Sequence, residues 1–281
     1  MIRRVGAHVS TAGGFELALD RAQAIGANCA QIFSSSPRVW QSSWQDKLDV
    51  QKFFDRQQKT GVLLVFTHAL YLVNLASANP ASVQKSIAAL TSELKFDAAI
   101  GGSGVIVHLG SHLGLGWVAV RDQVVSAISE ILKNTPEKSN FLIENSAGQK
   151  GKVCSDLAEI SWLLQQVASP RLGWCFDTCH SFAAGYPLAD SGSEQGSAYD
   201  KITDLNLWSA LKCIHVNDSK GSLGSGLDRH ENLGEGQIGL TDFAEFFKKP
   251  EVKSLPLILE VPGFEGQGPD QQNIEKLKAL L

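Results

Sequence analysis

Long apolar runs are missing from this chain. No stretch is long enough to cross a membrane, and the opening Met1-Ile-Arg-Arg-Val leads into a strand-like run without the apolar core of a secretory leader. The expected setting is therefore the cytoplasm. Charge of one sign is missing too. The 25 basic and 29 acidic residues leave a net −4, so the chain carries none of the global basic field of simple nucleic-acid binders. Cysteine is sparse: Cys29, Cys154, Cys175, Cys179 and Cys213 are odd in number, scattered, and mostly set inside apolar runs. Cys175 and Cys179 lack the Cys-x-x-Cys spacing, which argues against a thiolate zinc site and for reduced, buried thiols. Charged residues make up only 19% of the chain against 43% hydrophobic, a balance that excludes disorder and supports a large core. Low-complexity segments, linkers and internal sequence repeats are absent, so 1–281 reads as one domain.

What is present is an alternation of short apolar runs with amphipathic stretches. Runs at 5–9, 29–33, 62–67, 105–107, 141–143, 172–176, 213–214 and 255–259 read as strands. Helices are expected over 15–25, 46–60, 80–100, 117–133, 155–167 (capped by Ser155), 197–211, 241–248 and 269–281, with a polar loop at 34–43 and a Gly-rich loop at 221–239. Unbroken apolar strands imply burial on both faces, hence a parallel sheet covered by helices. Eight βα units in a chain of this size predict a (β/α)₈ TIM barrel, with a doubly wound open sheet as the alternative.

The residues that end runs three to eight are His68, His108, Glu144, Asp177, His215 and Glu260. In a barrel these positions ring one bowl, and all six are ligand types for zinc-like metals. A lone histidine at a strand end is more often a hydrogen-bonded core residue. Six convergent ligand types reverse that reading, because unpaired charges at this density would be too costly to bury. Three more candidates lie beyond strands six and seven: His180, three residues after Asp177, and the pair Asp228 and His230. Taken alone, Asp177-Thr178 could equally be a helix cap and the Asp228 pair an exposed turn. Nine donors suit two or three ions, a carboxylate bridging two of them. Three divalent ions set against the net −4 would leave about +2, so the formal charge does not exclude a nucleic acid.

Five blocks carry a resemblance across essentially the whole chain. They are Gly6-Ala-His-Val-Ser10 with Gly13-Gly14, Ile143-Glu-Asn145 with Ala147-Gly148, and Gly173-x-Cys-x-Asp-Thr-Cys-His180. The others are His215-Val-Asn-Asp218 and Gly224-Ser-x-x-Asp-Arg-His-x-x-Leu-Gly-Glu-Gly236. The chain resembles the endonuclease IV class of apurinic/apyrimidinic endonucleases. That resemblance implies three zinc ions, one of them replaceable by manganese. His68 and His108 would hold the first; Asp177, His215 and Glu260 the second, with Glu144 bridging the two and serving as the catalytic carboxylate; His180, Asp228 and His230 the third. It also implies hydrolysis of duplex DNA on the 5′ side of an abasic site, leaving a 3′-hydroxyl and a 5′-deoxyribose phosphate. Trimming of blocked 3′ ends by a monomer acting away from membranes is implied as well. Arg38, Tyr71 and Leu72 match positions where the family inserts side chains into DNA, although packing explains Tyr71 and Leu72 and solvation explains Arg38 equally well by residue type.

Some positions depart from the family pattern. Ser34-Ser35-Ser36-Pro37 replaces a more polar stretch, a change that would weaken a DNA contact; His108 precedes Leu109 rather than proline; and Val261-Pro262 follow Glu260. His8 and His112 match no ligand position; His8 is readable as a support for the ligands, a phosphate contact or a core hydrogen bond. Two rivals stand beside the nuclease reading: a sugar isomerase or epimerase on a related barrel, and a non-catalytic metal-dependent DNA-binding barrel.

Overall fold

The computed structural model describes residues 3–40, 43–189 and 196–281. Met1 and Ile2 of the N-terminal run, and residues 41 and 42 of the predicted 34–43 loop, lie outside the described residues. In chain order the first elements are β1 (Val5–His8), α1 (Phe15–Ala24), β2 (Cys29–Phe33), α2 (Val50–Thr60), β3 (Leu64–His68), α3 (Pro80–Ala99), β4 (Val105–Val107) and α4 (Trp117–Lys133). Then come β5 (Phe141–Glu144), α5 (Leu157–Val167), β6 (Leu172–Asp177), α6 (Thr178–Ala183), α7 (Ala198–Asp204) and β7 (Leu211–His215). The chain closes with β8 (Asp218–Ser219), β9 (His230–Glu231), α8 (Leu240–Phe247), β10 (Leu257–Leu259) and α9 (Gln271–Ala279).

Eight of these strands close into one parallel barrel in the order β1-β10-β7-β6-β5-β4-β3-β2, which removes the open-sheet alternative. Closure is made by β1 against β10, with Val5 opposite Leu257 and Ala7 opposite Leu259. Gly6 is required there: a Cβ on it would fall 2.2 Å from the Cys29 carbonyl oxygen of β2.

Two cores follow from strand alternation. One set of side chains packs outward under the helices. The other fills the barrel interior: Cys29, Phe66, Ile106, Leu142, Cys175, Cys213 and Ile258. All five cysteines are buried and free, as expected of reduced thiols. Successive strand residues face opposite ways, so the residue two further along each strand also faces inward. From those seven positions the next inward residues are Gln31, His68, His108, Glu144, Asp177, His215 and Glu260. The barrel thus places an apolar layer directly beneath a polar one.

The structure corrects several local expectations. Helix α5 is capped by Asp156, not Ser155; the Asp156 carboxylate accepts from Ala158 N at 2.9 Å. The helix expected over 46–60 starts only at Val50, where Asp49 caps it by accepting from Lys52 N. The single helix expected over 197–211 breaks: α7 ends at Asp204, Asn206 turns left-handed at φ 55°, and a 3₁₀ turn at Trp208–Ala210 feeds β7, which begins at Leu211. The Gly-rich loop supplies β9 to an unforeseen antiparallel pairing with β8, just before the loop, that holds His230 opposite Ser219.

Candidate metal centre

Glu144, fully buried at the end of β5, is the hub of the polar layer. Its Oε2 lies 3.1 Å from His108 Nε2 and 3.3 Å from His68 Nε2. Its Oε1 lies 3.0 Å from His215 Nδ1 and 3.3 Å from His180 Nδ1. Glu260 Oε2 is 3.1 Å from the same His215 nitrogen. On the far side His180 Nε2 stands 3.1 Å from Asp228 Oδ1 and 3.4 Å from His230 Nε2. All nine predicted ligands therefore come together. Their donor atoms fall into three sets, each within 4.8 Å: His68, His108 and Glu144; Glu144, Asp177, His215 and Glu260; and His180, Asp228 and His230. Cys179 also lies within that range of Asp177 and His230. Burial pushes its thiol up to about 12, and the thiol donates to the Arg229 carbonyl.

The donor chemistry fits cations. His68, His180 and His230 each direct Nδ1 at a backbone carbonyl, of Ala69, Asn145 and Glu260 respectively. A carbonyl only accepts, so in the neutral ring Nδ1 carries the proton and Nε2 keeps its lone pair facing the cluster. Two such nitrogens, those of His180 and His230, face one another at 3.4 Å. Among the described residues no lysine or arginine forms an ion pair with any of the nine, although Glu144 and Asp177 are wholly buried. Burial opposes ionisation of Glu144 and Glu260, yet the surrounding imidazoles outweigh it and hold both carboxyls well below the usual range. Burial likewise opposes protonation of His180, but Asp177, Asp228 and Glu144 raise its pKa well above the ordinary value, so Nε2 holds a proton that a binding cation would displace to reach the lone pair. Burial prevails at His108, whose ring is pushed down to about 4. Burial raises the pKa of Asp177 instead. Carboxylates and imidazoles gathered in this way, with no lysine or arginine paired to them among the described residues, are a metal-ligating donor set.

Asp177 caps a helix and also turns toward the cluster. Oδ1 caps α6, accepting from His180 N at 2.7 Å. Oδ2 turns to the cluster, 3.8 Å from His215 Nδ1 and 3.7 Å from His230 Nε2. Asn217 Nδ2 donates to that oxygen at 2.7 Å, while Asn217 Oδ1 accepts from Glu260 N, which ties β6 to the end of β10. Asn145 pairs with the Asp177 backbone through both ends of its amide. The loop carrying Asp228 and His230 is anchored by the buried Asp218, whose carboxylate accepts from Gly234 N, Gly236 N and Ile238 N.

The bowl above the centre has a volume of about 1500 Å³ and takes Lys47, Lys152 and Arg229 into its wall. Tyr71 also lines it, 60% exposed, its ring edge-on to Phe33 and His68. Tyr71 N donates to the Pro37 carbonyl at 3.0 Å, which joins the loop after β3 to the loop after β2. Arg38 is exposed on that second loop and Leu72 is half-buried; neither is part of the bowl wall. His112 stands apart from the donor sets, its Nδ1 accepting from Gly114 N and Gly116 N to shape the turn into α4. His8 packs on Phe33, with Nδ1 2.8 Å from Gln31 Nε2. Sequence reasoning missed Gln31, Asn145 and Asn217. Gln31 was findable: it is the inward residue two beyond Cys29, the place that supplies a ligand type on six other strands.

A family profile described as xylose isomerase-like TIM barrel matches residues 19–280. A protein of Methanoculleus marisnigri named probable endonuclease 4 is 39% identical over 278 residues, covering 98% of each chain. A probable endonuclease 4 of Halothermothrix orenii is 36% identical, covering 98% of this chain and 99% of the relative. The crystal structure of endonuclease IV from Thermus thermophilus superposes with a TM-score of 0.84 at 33% identity, covering 99% of this chain and 98% of that one.

Proposed function

The chain belongs to the endonuclease IV family of nucleases, within the xylose isomerase-like TIM barrels, and from that membership we propose that it is a zinc-dependent DNA-repair hydrolase. It cuts the phosphodiester on the 5′ side of an abasic site in duplex DNA, leaving a 3′-hydroxyl and a 5′-deoxyribose phosphate, and trims blocked 3′ ends. The observation that supports this reading is the meeting of three donor sets around Glu144 and Asp177 on the floor of one open bowl.

His68, His108 and Glu144 would hold the first ion, Glu144, Asp177, His215 and Glu260 the second, and His180, Asp228 and His230 the third. When bound there, zinc would supply hydroxide near neutral pH and would offset the charge that grows on the phosphate and on the departing oxygen. Glu144 lies beneath the bowl, its two oxygens facing nitrogens of His68, His108, His180 and His215, and would orient the attacking water. Water oxygen bonds to phosphorus, the bond from phosphorus to the upstream O3′ breaks, and that oxygen leaves as the 3′-hydroxyl. Manganese is an admissible replacement at the position richest in carboxylate oxygens.

Arg38, Tyr71 and Leu72 engage the duplex at the rim. The amide link from Tyr71 to Pro37 makes their two loops one rigid edge. Such a wedge unstacks a base step, and an abasic nucleotide, having no base to unpair, is the cheapest one to turn out into the bowl. The protein acts as a monomer in the cytoplasm, at the nucleoid; among the described residues no helix is long and apolar enough to cross a membrane.

Incubating a duplex bearing one abasic analogue with the zinc-loaded protein, before and after prolonged chelation, tests the reading. Incision lost on chelation and restored by zinc is expected. Absence of incision by the loaded protein refutes the repair role, and turnover of a ketose instead identifies the sugar-epimerase rival.

A further inference from the structure

We infer that Gln31 is a positioning residue of this centre: its one side-chain amide decides which nitrogen of His215 is free to hold a metal ion. The inference rests on the metal reading above. His215 sits reversed relative to the other histidines of the cluster. Its inward nitrogen is Nδ1, 3.0 Å from Glu144 Oε1 and 3.1 Å from Glu260 Oε2. Its outer nitrogen, Nε2, has no backbone carbonyl to donate to and instead meets Gln31 Oε1 at 2.7 Å. An amide oxygen only accepts, so Nε2 carries the proton and Nδ1 keeps the lone pair.

The orientation of the amide is itself determined. Gln31 Nε2 donates to Glu260 Oε1, which as a carboxylate can only accept, and to His8 Nδ1 at 2.8 Å. Turned over, the amide would set oxygen against the Glu260 carboxylate and its NH₂ against His215. His215 Nε2 would then have to accept, and the proton would move to Nδ1, where a ligating lone pair is needed. Glu260 therefore selects the orientation of the amide, and the amide selects the tautomer of His215. Gln31 is wholly buried, and both its N–H groups and its oxygen are engaged, so it has no freedom to compromise. The same amide fixes His8 with its proton on Nε2, leaving that ring a hydrogen-bond donor in the wall of the bowl. On β2 the inward position that corresponds to the ligands of the other strands thus supplies no ligand but orients groups on β1, on β7 and just after β10.

The test pairs zinc affinity with a spectroscopic signature. Gln31→Met keeps length and volume but removes all three hydrogen bonds. Competition with a chromophoric chelator should show at least one zinc bound roughly 10–100-fold more weakly than in the wild type. Long-range proton–nitrogen correlation on zinc-loaded wild-type protein labelled at histidine nitrogen should show His215 protonated on Nε2 and metal-bound through Nδ1. Unchanged affinity for every zinc in Gln31→Met, or a wild-type His215 protonated on Nδ1, overturns the inference. If the variant does not fold, the wild-type spectrum decides. If the wild type takes up no zinc, the metal reading fails separately; the metal-free spectrum, recorded above the titration of the ring, still reports Nε2–H for His215 or contradicts it.

Discussion

Asp97 offers a quantitative test of how the barrel holds the strand that carries His68. It lies on α3, fully buried. One carboxylate oxygen accepts from Thr67 Oγ1 at 3.2 Å and the other from Ser139 Oγ at 2.8 Å. Burial outweighs these hydrogen bonds and pushes the carboxyl from 3.8 to about 7. The folded protein therefore keeps a proton that the unfolded chain releases above 3.8. The contribution of Asp97 to stability is complete below that value, declines as pH rises toward 7, and levels off above it. At 1.36 kcal/mol per pH unit the whole window corresponds to about 4 kcal/mol. Asp97→Asn removes the titration. Below pH 4 the variant should be less stable than the wild type by about 1 kcal/mol, because the amide cannot reproduce both acceptors. By pH 8 it should be more stable by about 3 kcal/mol. Urea unfolding of both proteins from pH 4 to 8, in chelator throughout, measures the difference, and groups common to the two cancel. A difference that stays constant with pH, or that shifts against the variant as pH rises, refutes the reasoning.

Glu144→Gln should abolish incision of an abasic duplex while leaving duplex binding within a few-fold of wild type; retained cleavage with lost binding contradicts the role given to that carboxylate. Tyr71→Ala should cost about 1–3 kcal/mol of affinity for an abasic duplex, and less for an intact one, with zinc content unchanged; equal losses on both duplexes would make Tyr71 a packing residue. Gly236→Ala would set a Cβ 2.4 Å from Asp218 Oδ1, so the loop carrying Asp228 and His230 should loosen and zinc content fall. A full complement of zinc in that variant contradicts the anchoring role of Asp218. Removal of metal should lower the melting temperature, since the buried carboxylates then lose their cations; calorimetry in chelator that shows no change contradicts a metal-ligated core.

The barrel was legible because its strands are short, apolar and separated by regular helical stretches, and because polar residues recur where those strands end. Six of the nine donors were legible for the same reason: a carboxylate or histidine closing an apolar run has no cheap place to go except a shared site. His180, Asp228 and His230 lie in the segments after β6 and β7 and were legible only beside those six. Other features had no such signal. The capping residue of α5 was misassigned because Ser155 and Asp156 cap almost equally well, and only the backbone decides between them. The break after α7 depends on Asn206 adopting a left-handed conformation, which pattern does not demand. The β8–β9 pairing is only two residues long on each side and is held by Asp218 through backbone contacts far along the chain. Gln31 was hidden because an amide among hydrophobic residues looks like an ordinary buried polar group until the inward alternation of β2 is known. Asp177 illustrates a different point. Cap and ligand were competing readings of one carboxylate; one oxygen makes the cap, and the other faces the cluster, where the proposed metal would lie.

The central claim is that nine side chains on the floor of this barrel hold three metal ions. Elemental analysis of zinc per chain, on protein saturated with zinc and freed of excess, tests it most directly. The account predicts three in the wild type and two in Asp228→Ala, which keeps the two sets that share Glu144. A wild-type count of one or none, or an Asp228→Ala count equal to the wild type, would contradict it.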